Sequence, residues 1–220
     1  MHILYYRQLS YWLSYFGQTS GFLPFVILLL LFPWFIRTGG ISAGLFATGF
    51  TASSLEILLL FVFQVIFGYM YLMAGILITV FMAGITVGAA TGKRMIRIPA
   101  YNKLILLQFG IGLYCILVLV SILAFRHLPF TSFPLQAFIF LLIFGIALLA
   151  GLQFYMATHI KKGSVQSVSG AVYSADLLGA ALGAILISTC LIPVLGITGS
   201  LLLIAGLNGI VAVLMLLKQK

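Results

Sequence analysis

The side chains that could perform chemistry in this chain are few and lie far apart. The 220 residues contain two carboxylic acids, Glu56 and Asp176, with three histidines and two cysteines. The histidines lie near the ends of apolar segments, and no two have the spacing with which one helix holds a metal. Cys115 and Cys190 fall inside apolar segments, where a thiol behaves as a small hydrophobic group. The sequence therefore predicts no catalytic residue, no metal site and no cofactor.

Glu56 is the first polar residue of interest, because it lies near the middle of an apolar segment. Helical spacing places it on one face with Gly49, Ala52 and Ser53, so it is predicted to point into a helix bundle. An acid at this depth is costly unless it is protonated, hydrated or hydrogen-bonded. Two interpretations remain open: a neutral carboxyl bonded within the core, and a group that binds a proton, ion or substrate. Gln64, about two turns further on, is a second predicted buried polar residue.

Asp176 is predicted to lie about five residues inside its apolar segment, on one face with Gly179, Ala180 and Gly183. From that position it could reach a lysine or arginine at the membrane surface, and we expect an interfacial salt bridge or cap rather than catalysis. Glu56 is predicted to be deeper by roughly 12 Å, at 1.5 Å of rise per residue. The two acids are therefore not expected to form a catalytic pair.

The composition decides which solvent surrounds most of the chain. Hydrophobic residues make up 64% of it and charged residues 6%, which excludes an ordinary water-soluble domain. Long unbroken apolar runs favour transmembrane helices over the alternating strands of a barrel. The net charge of +9 comes from residues in short loops, so it indicates membrane orientation and not a nucleic-acid partner. The predicted fold is an all-α, polytopic bundle in a single membrane domain, with the lipid bilayer as its main partner.

Seven apolar segments are long enough to cross a bilayer core. Their approximate boundaries are residues 11–36, 41–67, 69–91, 104–125, 135–157, 171–195 and 197–217. Short turns at Gly68 and Gly196 are predicted to join two of the neighbouring pairs.

The positive residues divide unequally between the two sides that seven spans would create. One side receives only Arg7 and Arg126. The other receives nine, namely Arg37, Lys93, Arg94, Arg97, Lys103, Lys161, Lys162, Lys218 and Lys220. The positive-inside rule then places the N-terminus outside and the C-terminus in the cytoplasm, in the inner (plasma) membrane of the cell.

Two series of small residues recur at four-residue spacing. They are Gly84, Gly88 and Gly92 in the third segment, and Ala175, Gly179 and Gly183 in the sixth. Such series form grooves that allow another helix to approach closely, which is how helices associate in lipid. Close helix packing is the favoured interpretation, and a channel or cofactor cleft lined by these grooves is the alternative.

Two stretches resemble a known family. They are residues 49–57 (GFTASSLEI), continuing to Gln64, Gly68, Gly84 and Gly88, and residues 173–183 (YSADLLGAALG), followed by Pro193 and Gly196. They resemble the membrane domain of spermidine synthase-like proteins, in which helices are fused to an aminopropyltransferase-type domain. That domain would bring a glycine-rich nucleotide loop and acidic residues for the amine substrate, and neither is found in this sequence. The resemblance thus implies the membrane part alone, with no catalytic residue carried over.

Three functions agree with these features. The first is a non-catalytic integral membrane subunit or anchor that docks protein partners within a larger membrane complex. The second is a transporter-like carrier of a small solute or proton, with Glu56 and Asp176 in its path. Six core helices would make half of a major facilitator fold, so this carrier would need a homodimer or a partner half. The third is an enzyme whose active site comes from a spermidine synthase-like partner chain.

Overall fold

The computed structural model describes residues 39–68, 71–95, 101–125, 133–161 and 164–218. They form six α-helices and one π-helical turn. In chain order these are α1 (Gly40–Phe67), α2 (Tyr71–Met95), α3 (Tyr101–Phe125), α4 (Phe133–Ile160), α5 (Val165–Leu186), the π turn (Ile187–Leu191) and α6 (Ile192–Leu217). The predicted all-helical fold class is confirmed.

Five helical stretches are long and apolar enough to cross a membrane. The last, Gln166–Leu217, has 52 residues and contains α5, the π turn and α6. A straight helix of that length would extend about 78 Å, more than twice the hydrocarbon core of a bilayer. The predicted first span, 11–36, lies outside the described residues, so the count of seven spans and the side of each terminus remain predictions.

The 52-residue stretch bends back on itself at Gly196. This residue has φ 68° and ψ −178°, a backbone conformation essentially restricted to glycine. Gly68, with φ 77°, ends α1, and its N–H donates to the carbonyl of Gln64 at 2.9 Å. The two glycines predicted to form turns are thus the described positions with positive φ.

Contacts between the helices show that successive helices run in opposite directions. The start of α1, at Gly40, packs against the start of α3, at Tyr101, and against the end of α6, at Met215. Further along α1, Phe46 packs on Gly179 and Phe50 on Gly183, so α5 runs parallel to α1. Helices α2 and α4 run parallel, because Gly84 packs against Ala147 and Gly92 against Tyr155. Helices α3 and α4 run antiparallel, because Gln108 bonds to Gln153 and Tyr114 to Leu142. Helices α1, α3 and α5 therefore run one way and α2, α4 and α6 the other.

This alternation brings the positive charges of the described residues to one end of the bundle. They are Lys93, Arg94, Lys103, Lys161 and Lys218. Each lies at or just beyond the start of an odd-numbered helix or the end of an even-numbered one. We call this the basic end. Gly68 and Gly196 lie at the opposite end.

Helix α1 is the centre of the bundle over its first half and reaches the surface over its second half. All residues from Ser42 to Ala52 are buried, between α5 on one side and α3, α4 and α6 on the others. Beyond them, half-exposed and exposed residues recur with the helical period. They are Ser53, Glu56, Ile57, Leu60, Phe61, Gln64 and Val65, and we call them the open stripe of α1.

Candidate functional site

A chain of buried amide side chains joins four helices inside the bundle. Gln153 of α4 donates from Nε2 to Oε1 of Gln108 on α3, at 2.5 Å. Gln108 donates from Nε2 to Oδ1 of Asn208 on α6, at 2.6 Å. Asn208 donates from Nδ2 to the hydroxyl of Thr51 on α1, at 2.7 Å, and to the carbonyl of Ile204, at 2.8 Å. We call these four side chains, with Thr48, the amide network.

Thr48 completes the network on the α1 side. Its hydroxyl lies 3.0 Å from the carbonyl of Gly44 and 3.4 Å from Oε1 of Gln108. Gln108, Gln153 and Asn208 are each 0% exposed. Because lipid and apolar side chains offer no hydrogen bonds, such amides satisfy one another and thereby fix which helices are neighbours. All five side chains are neutral, so the network can hold a structure or a neutral polar group but cannot exchange a proton at ordinary pH.

Two buried polar atoms have no hydrogen-bond partner among the described residues. They are Oε1 of Gln153, at one end of the amide network, and Oγ of Ser54, between α1 and α5. A β-carbon at Gly183 would lie 2.9 Å from that hydroxyl oxygen. The seam between α1 and α5 is thus tightly packed at Ser54.

The acid predicted to be important, Glu56, lies on the open stripe rather than in the amide network. It is the seventeenth of the 28 residues of α1, within one helical turn of the middle of the helix. Its side chain is half-buried, and no described residue forms a hydrogen bond or an ion pair with it. Its stripe neighbours Ile57, Leu60 and Phe61 are apolar. Within the described part of the chain the carboxyl therefore has no polar partner, and it lies near the middle of a helix long enough to cross a membrane.

Asp176 lies deeper along its helix than the sequence predicted. Helix α5 begins at Val165, six residues before the predicted segment, so Asp176 is eleven residues from the helix start. A β-carbon at Gly49 of α1 would lie 2.8 Å from Oδ1 of Asp176. No ion pair of Asp176 is found among the described residues, so the expected salt bridge is not formed within them. Asp176 thus lies about 16 Å from the first residue of α5, and an interfacial pairing with a residue outside the described ones stays a prediction.

The structure does not bring the two acids together. Asp176 lies beside Gly49, and Glu56 is seven residues, or about 10 Å, further along α1.

Gln64 is exposed, which corrects the prediction that it is buried. The seventeen buried residues of α1 all precede Gln64 in the sequence. Gln64 itself lies on the open stripe, near the C-terminal end of the helix, and is therefore exposed. The residue shares the exposed side of α1 with Glu56.

The glycine series lie at the closest helix contacts of the bundle. A β-carbon at Gly88 would collide with the carbonyl oxygen of Leu148, and one at Gly151 with the carbonyl of Ile85. On α5, β-carbons at Gly179 and Gly183 would collide with the carbonyls of Phe46 and Phe50. The α2–α4 and α1–α5 pairs thus touch backbone to backbone. Gly84 meets Ala147 and Gly92 meets the ring of Tyr155 in the same α2–α4 contact.

A cavity of about 500 Å³ opens at the basic end. It lies where α1 begins, between the start of α3 and the ends of α4 and α6, and its lining includes Ser42, Tyr101, Lys161 and Lys218. The amine of Lys161 donates to the hydroxyl of Ser42 at 3.0 Å. The hydroxyl of Tyr101 donates to the carbonyl of Met215 at 3.3 Å. The cavity therefore combines amines and hydroxyls, and no acid is found among the described residues that line it.

Among the described residues, no group of three His, Cys, Asp or Glu side chains is arranged to hold a metal ion. Cys115 and Cys190 are both buried and unpaired. The chemistry that the described side chains support is hydrogen bonding between neutral groups, two isolated carboxyls, and amines at one end.

Comparison of the chain with protein-family models, with curated proteins and with solved structures finds no match.

Asn208 lies inside an apolar segment of the sequence, which predicts a helix-to-helix hydrogen bond for it, but Gln108, Gln153, Thr48 and Thr51 were not predicted. One signal could have found the two glutamines: an amide inside an apolar segment requires a partner at the same depth. Gln108, Gln153 and Asn208 lie on three different predicted spans. Their pairing depends on which helices are adjacent, which the spacing along the chain does not give.

Proposed function

We propose that this chain is a non-catalytic integral membrane subunit, and that the open stripe of α1 binds a transmembrane helix of a partner protein. The observation that carries the proposal is the position of Glu56. It lies near the middle of an apolar helix, half-exposed, with no hydrogen-bond partner among the described residues. A carboxyl that faces lipid there is unfavourable in either protonation state, because both states need hydrogen bonds that lipid cannot offer.

A partner helix that carries a hydrogen-bond donor removes this cost. Hydrogen bonds between polar side chains hold helices together in lipid. One donor opposite Glu56 would give the carboxyl a hydrogen bond and exclude lipid from it. Gln64, two turns further along the same exposed side, offers a second amide to the same partner helix. Between them, Ile57, Leu60 and Phe61 supply apolar contact area. The stripe thus has polar groups that fix the register of a partner and apolar groups that pack against it.

The interior of the bundle supports the same proposal. The described polar groups at its centre bond to one another through the amide network, and no carboxyl takes part in it. A carrier would use titratable or ion-binding groups that act together inside the bundle, whereas here the two described acids are offset by about 10 Å along the axis of α1. The resemblance to the membrane domain of spermidine synthase-like proteins also agrees with a membrane part that works together with another protein.

We also infer that the basic end faces the cytoplasm of the cell, in the plasma membrane. Five positive residues lie there and no described acid accompanies them, which is the asymmetry that the positive-inside rule describes. Labelling of a cysteine at Asn102, on the basic end, by an impermeant reagent outside intact cells would contradict this orientation.

Site-specific photo-crosslinking tests the partner helix. A photoreactive amino acid at Leu60, on the open stripe, is expected to form one discrete protein adduct in native membranes. The matched control is Leu113 of α3, which is 69% exposed and lies away from the stripe. Leu113 is expected to give no protein adduct, because it faces lipid. Mass spectrometry of the Leu60 adduct identifies the partner.

Two results would contradict the proposal. Lipid adducts alone from Leu60 would show that no helix covers the stripe. An adduct between two copies of this chain would favour the carrier, which as half of a major facilitator-like fold requires a homodimer.

A further inference from the structure

We propose that the partner helix on the open stripe carries a lysine or an arginine that forms an ion pair with Glu56. This inference rests on the proposed function, because it names the chemistry of the helix that the stripe would bind. Three observations carry it: two carboxyls without a described partner, their position on one face of α1, and the distribution of positive charge along the chain.

The two acids of the chain lie along one face of α1. Gly49 and Glu56 are seven residues apart, so two helical turns place them on the same side of the helix. The carboxyl of Asp176 lies on that side at Gly49, since its Oδ1 would be 2.8 Å from a β-carbon built there. Both acids are only partly buried. Two carboxyls offset by about 10 Å along one face, in surroundings of low dielectric, favour the approach of a cation.

No described cation reaches Glu56. The five described positive residues all lie at the basic end, and Glu56 is sixteen residues, or about 24 Å, from Gly40 at that end. On the same face of α1, the amine of Lys161 donates to the hydroxyl of Ser42, fourteen residues or about 21 Å before Glu56. A cation that pairs with Glu56 must therefore come from outside the described residues.

A second copy of this chain does not offer such a cation. The seven predicted spans, 11–36 included, contain no Lys, Arg or His. Neither the predicted first span nor the spans of a homodimer could therefore place a basic group at the depth of Glu56. The basic residue belongs to a different protein.

The contacts between the described helices show why a charged partner is favoured over a neutral one. Inside the bundle, the side chains that bond one helix to another are neutral amides and hydroxyls, as in Gln108, Gln153, Asn208 and Thr51. No described acid takes part in these bonds. A carboxyl on an open face suits a basic donor, because a charge-assisted bond is about twice as strong as a neutral one and the pair has no net charge.

Photo-crosslinking from Leu60 in native membranes identifies the helix on which the ion pair is tested. Leu60 is four residues, or about one turn, beyond Glu56 on the open stripe. The crosslinked peptide, sequenced by mass spectrometry, is expected to belong to an apolar span of another protein. That span is expected to contain a lysine or an arginine within about two turns of the crosslinked residue.

Exchange of the two charges tests the ion pair itself. Glu56→Lys is expected to lower the yield of the Leu60 adduct at least about tenfold, because it places two like charges opposite each other. Replacing the basic residue of the partner with glutamate is expected to have the same effect. The two changes together restore opposite charges and are expected to recover most of the adduct. A neutral hydrogen bond would not be recovered by this exchange.

The matched control is Leu113→Lys, which places a lysine near the middle of α3 on its exposed side, away from the stripe. It is expected to leave the yield of the Leu60 adduct unchanged. Gel filtration in a mild detergent reports the folding of each variant. If Glu56→Lys fails to fold, the basic residue of the partner is replaced with methionine while this chain keeps Glu56, and the yield is again expected to fall at least about tenfold.

Failure of the ion pair and failure of the proposed function give different results. A protein adduct whose span contains no lysine or arginine overturns the ion pair and leaves the membrane subunit in place. The same holds for a folded charge exchange that does not recover the adduct, and for a loss in Leu113→Lys as large as that in Glu56→Lys. Lipid adducts alone, or crosslinks to residues 11–36 or to a second copy of this chain, would overturn both.

Discussion

Replacing Gly88 with leucine is expected to lower the free energy of unfolding by about 3 kcal/mol, or to prevent folding. Even a single β-carbon at this position would collide with the carbonyl oxygen of Leu148 on α4. Because that atom belongs to the backbone, no side chain can turn aside, and α2 and α4 must separate. The long shared contact of these two helices would then lose its packing along its length. Gly183→Leu is expected to have the same effect on the α1–α5 pair, through the carbonyl of Phe50.

The matched control is Gly206→Leu on α6. Gly206 is exposed, and no atom lies within 4 Å of a β-carbon built there. This variant is expected to be as stable as the original or slightly more so, since leucine favours helix by up to about 1 kcal/mol over glycine. Unfolding in a graded series of denaturing detergent measures all three variants. Equal stability of Gly88→Leu and Gly206→Leu would show that α2 and α4 are not in close contact.

Replacing Gln108 with methionine is expected to cost about 2 kcal/mol of stability. Gln108 links α3 to α4 and α6, because it accepts from Gln153 and donates to Asn208. Methionine keeps the approximate volume and removes both bonds, so the amide groups of two other helices are left without their partner in a dry interior. Loss of neighbour specificity is expected as well as loss of stability.

The control for this variant is Ser121→Ala, also on α3. The hydroxyl of Ser121 is exposed and donates only to the carbonyl of Leu117 in its own helix, so its removal is expected to change stability little. In a double-mutant cycle, Gln108→Met and Asn208→Leu should together cost clearly less than the sum of the single changes, because they remove the same bond. Strict additivity would contradict the amide network.

The helices themselves could be predicted from apolar runs, because a segment surrounded by lipid must satisfy its backbone internally. The predicted second span, 41–67, corresponds to α1 at Gly40–Phe67, and the predicted fourth, 104–125, to α3 at Tyr101–Phe125. The turn glycines were also predictable, since Gly68 and Gly196 interrupt apolar runs. The start of α5 was not, because residues 165–170 are too polar to count as apolar although they continue the helix.

The placement of the polar residues was predictable only in part. Helical spacing placed Gly49 and Glu56 on one face of α1 and predicted that Glu56 points into the bundle. The structure corrects this prediction, because α1 is enclosed at Gly49 and open at Glu56. That difference depends on the neighbouring helices, which enclose α1 on all sides over Ser42–Ala52 but leave one side of its second half open among the described residues. The amide network depends in the same way on the adjacency of α1, α3, α4 and α6. Periodicity identifies the faces of a helix but not the neighbour of each face.

The most direct test of the membrane-subunit proposal combines Glu56 variants with crosslinking from Leu60. Glu56→Gln keeps the shape and the hydrogen-bonding capacity of the side chain, so it is expected to preserve folding and the partner adduct. Glu56→Leu removes the polar group and is expected to leave the chain folded, since no described residue bonds to Glu56, while abolishing the adduct. An adduct that persists in Glu56→Leu would show that Glu56 does not hold a partner. A folded Glu56→Gln variant that loses the function of the complex would show instead that the carboxyl binds a proton or cation, as in a carrier.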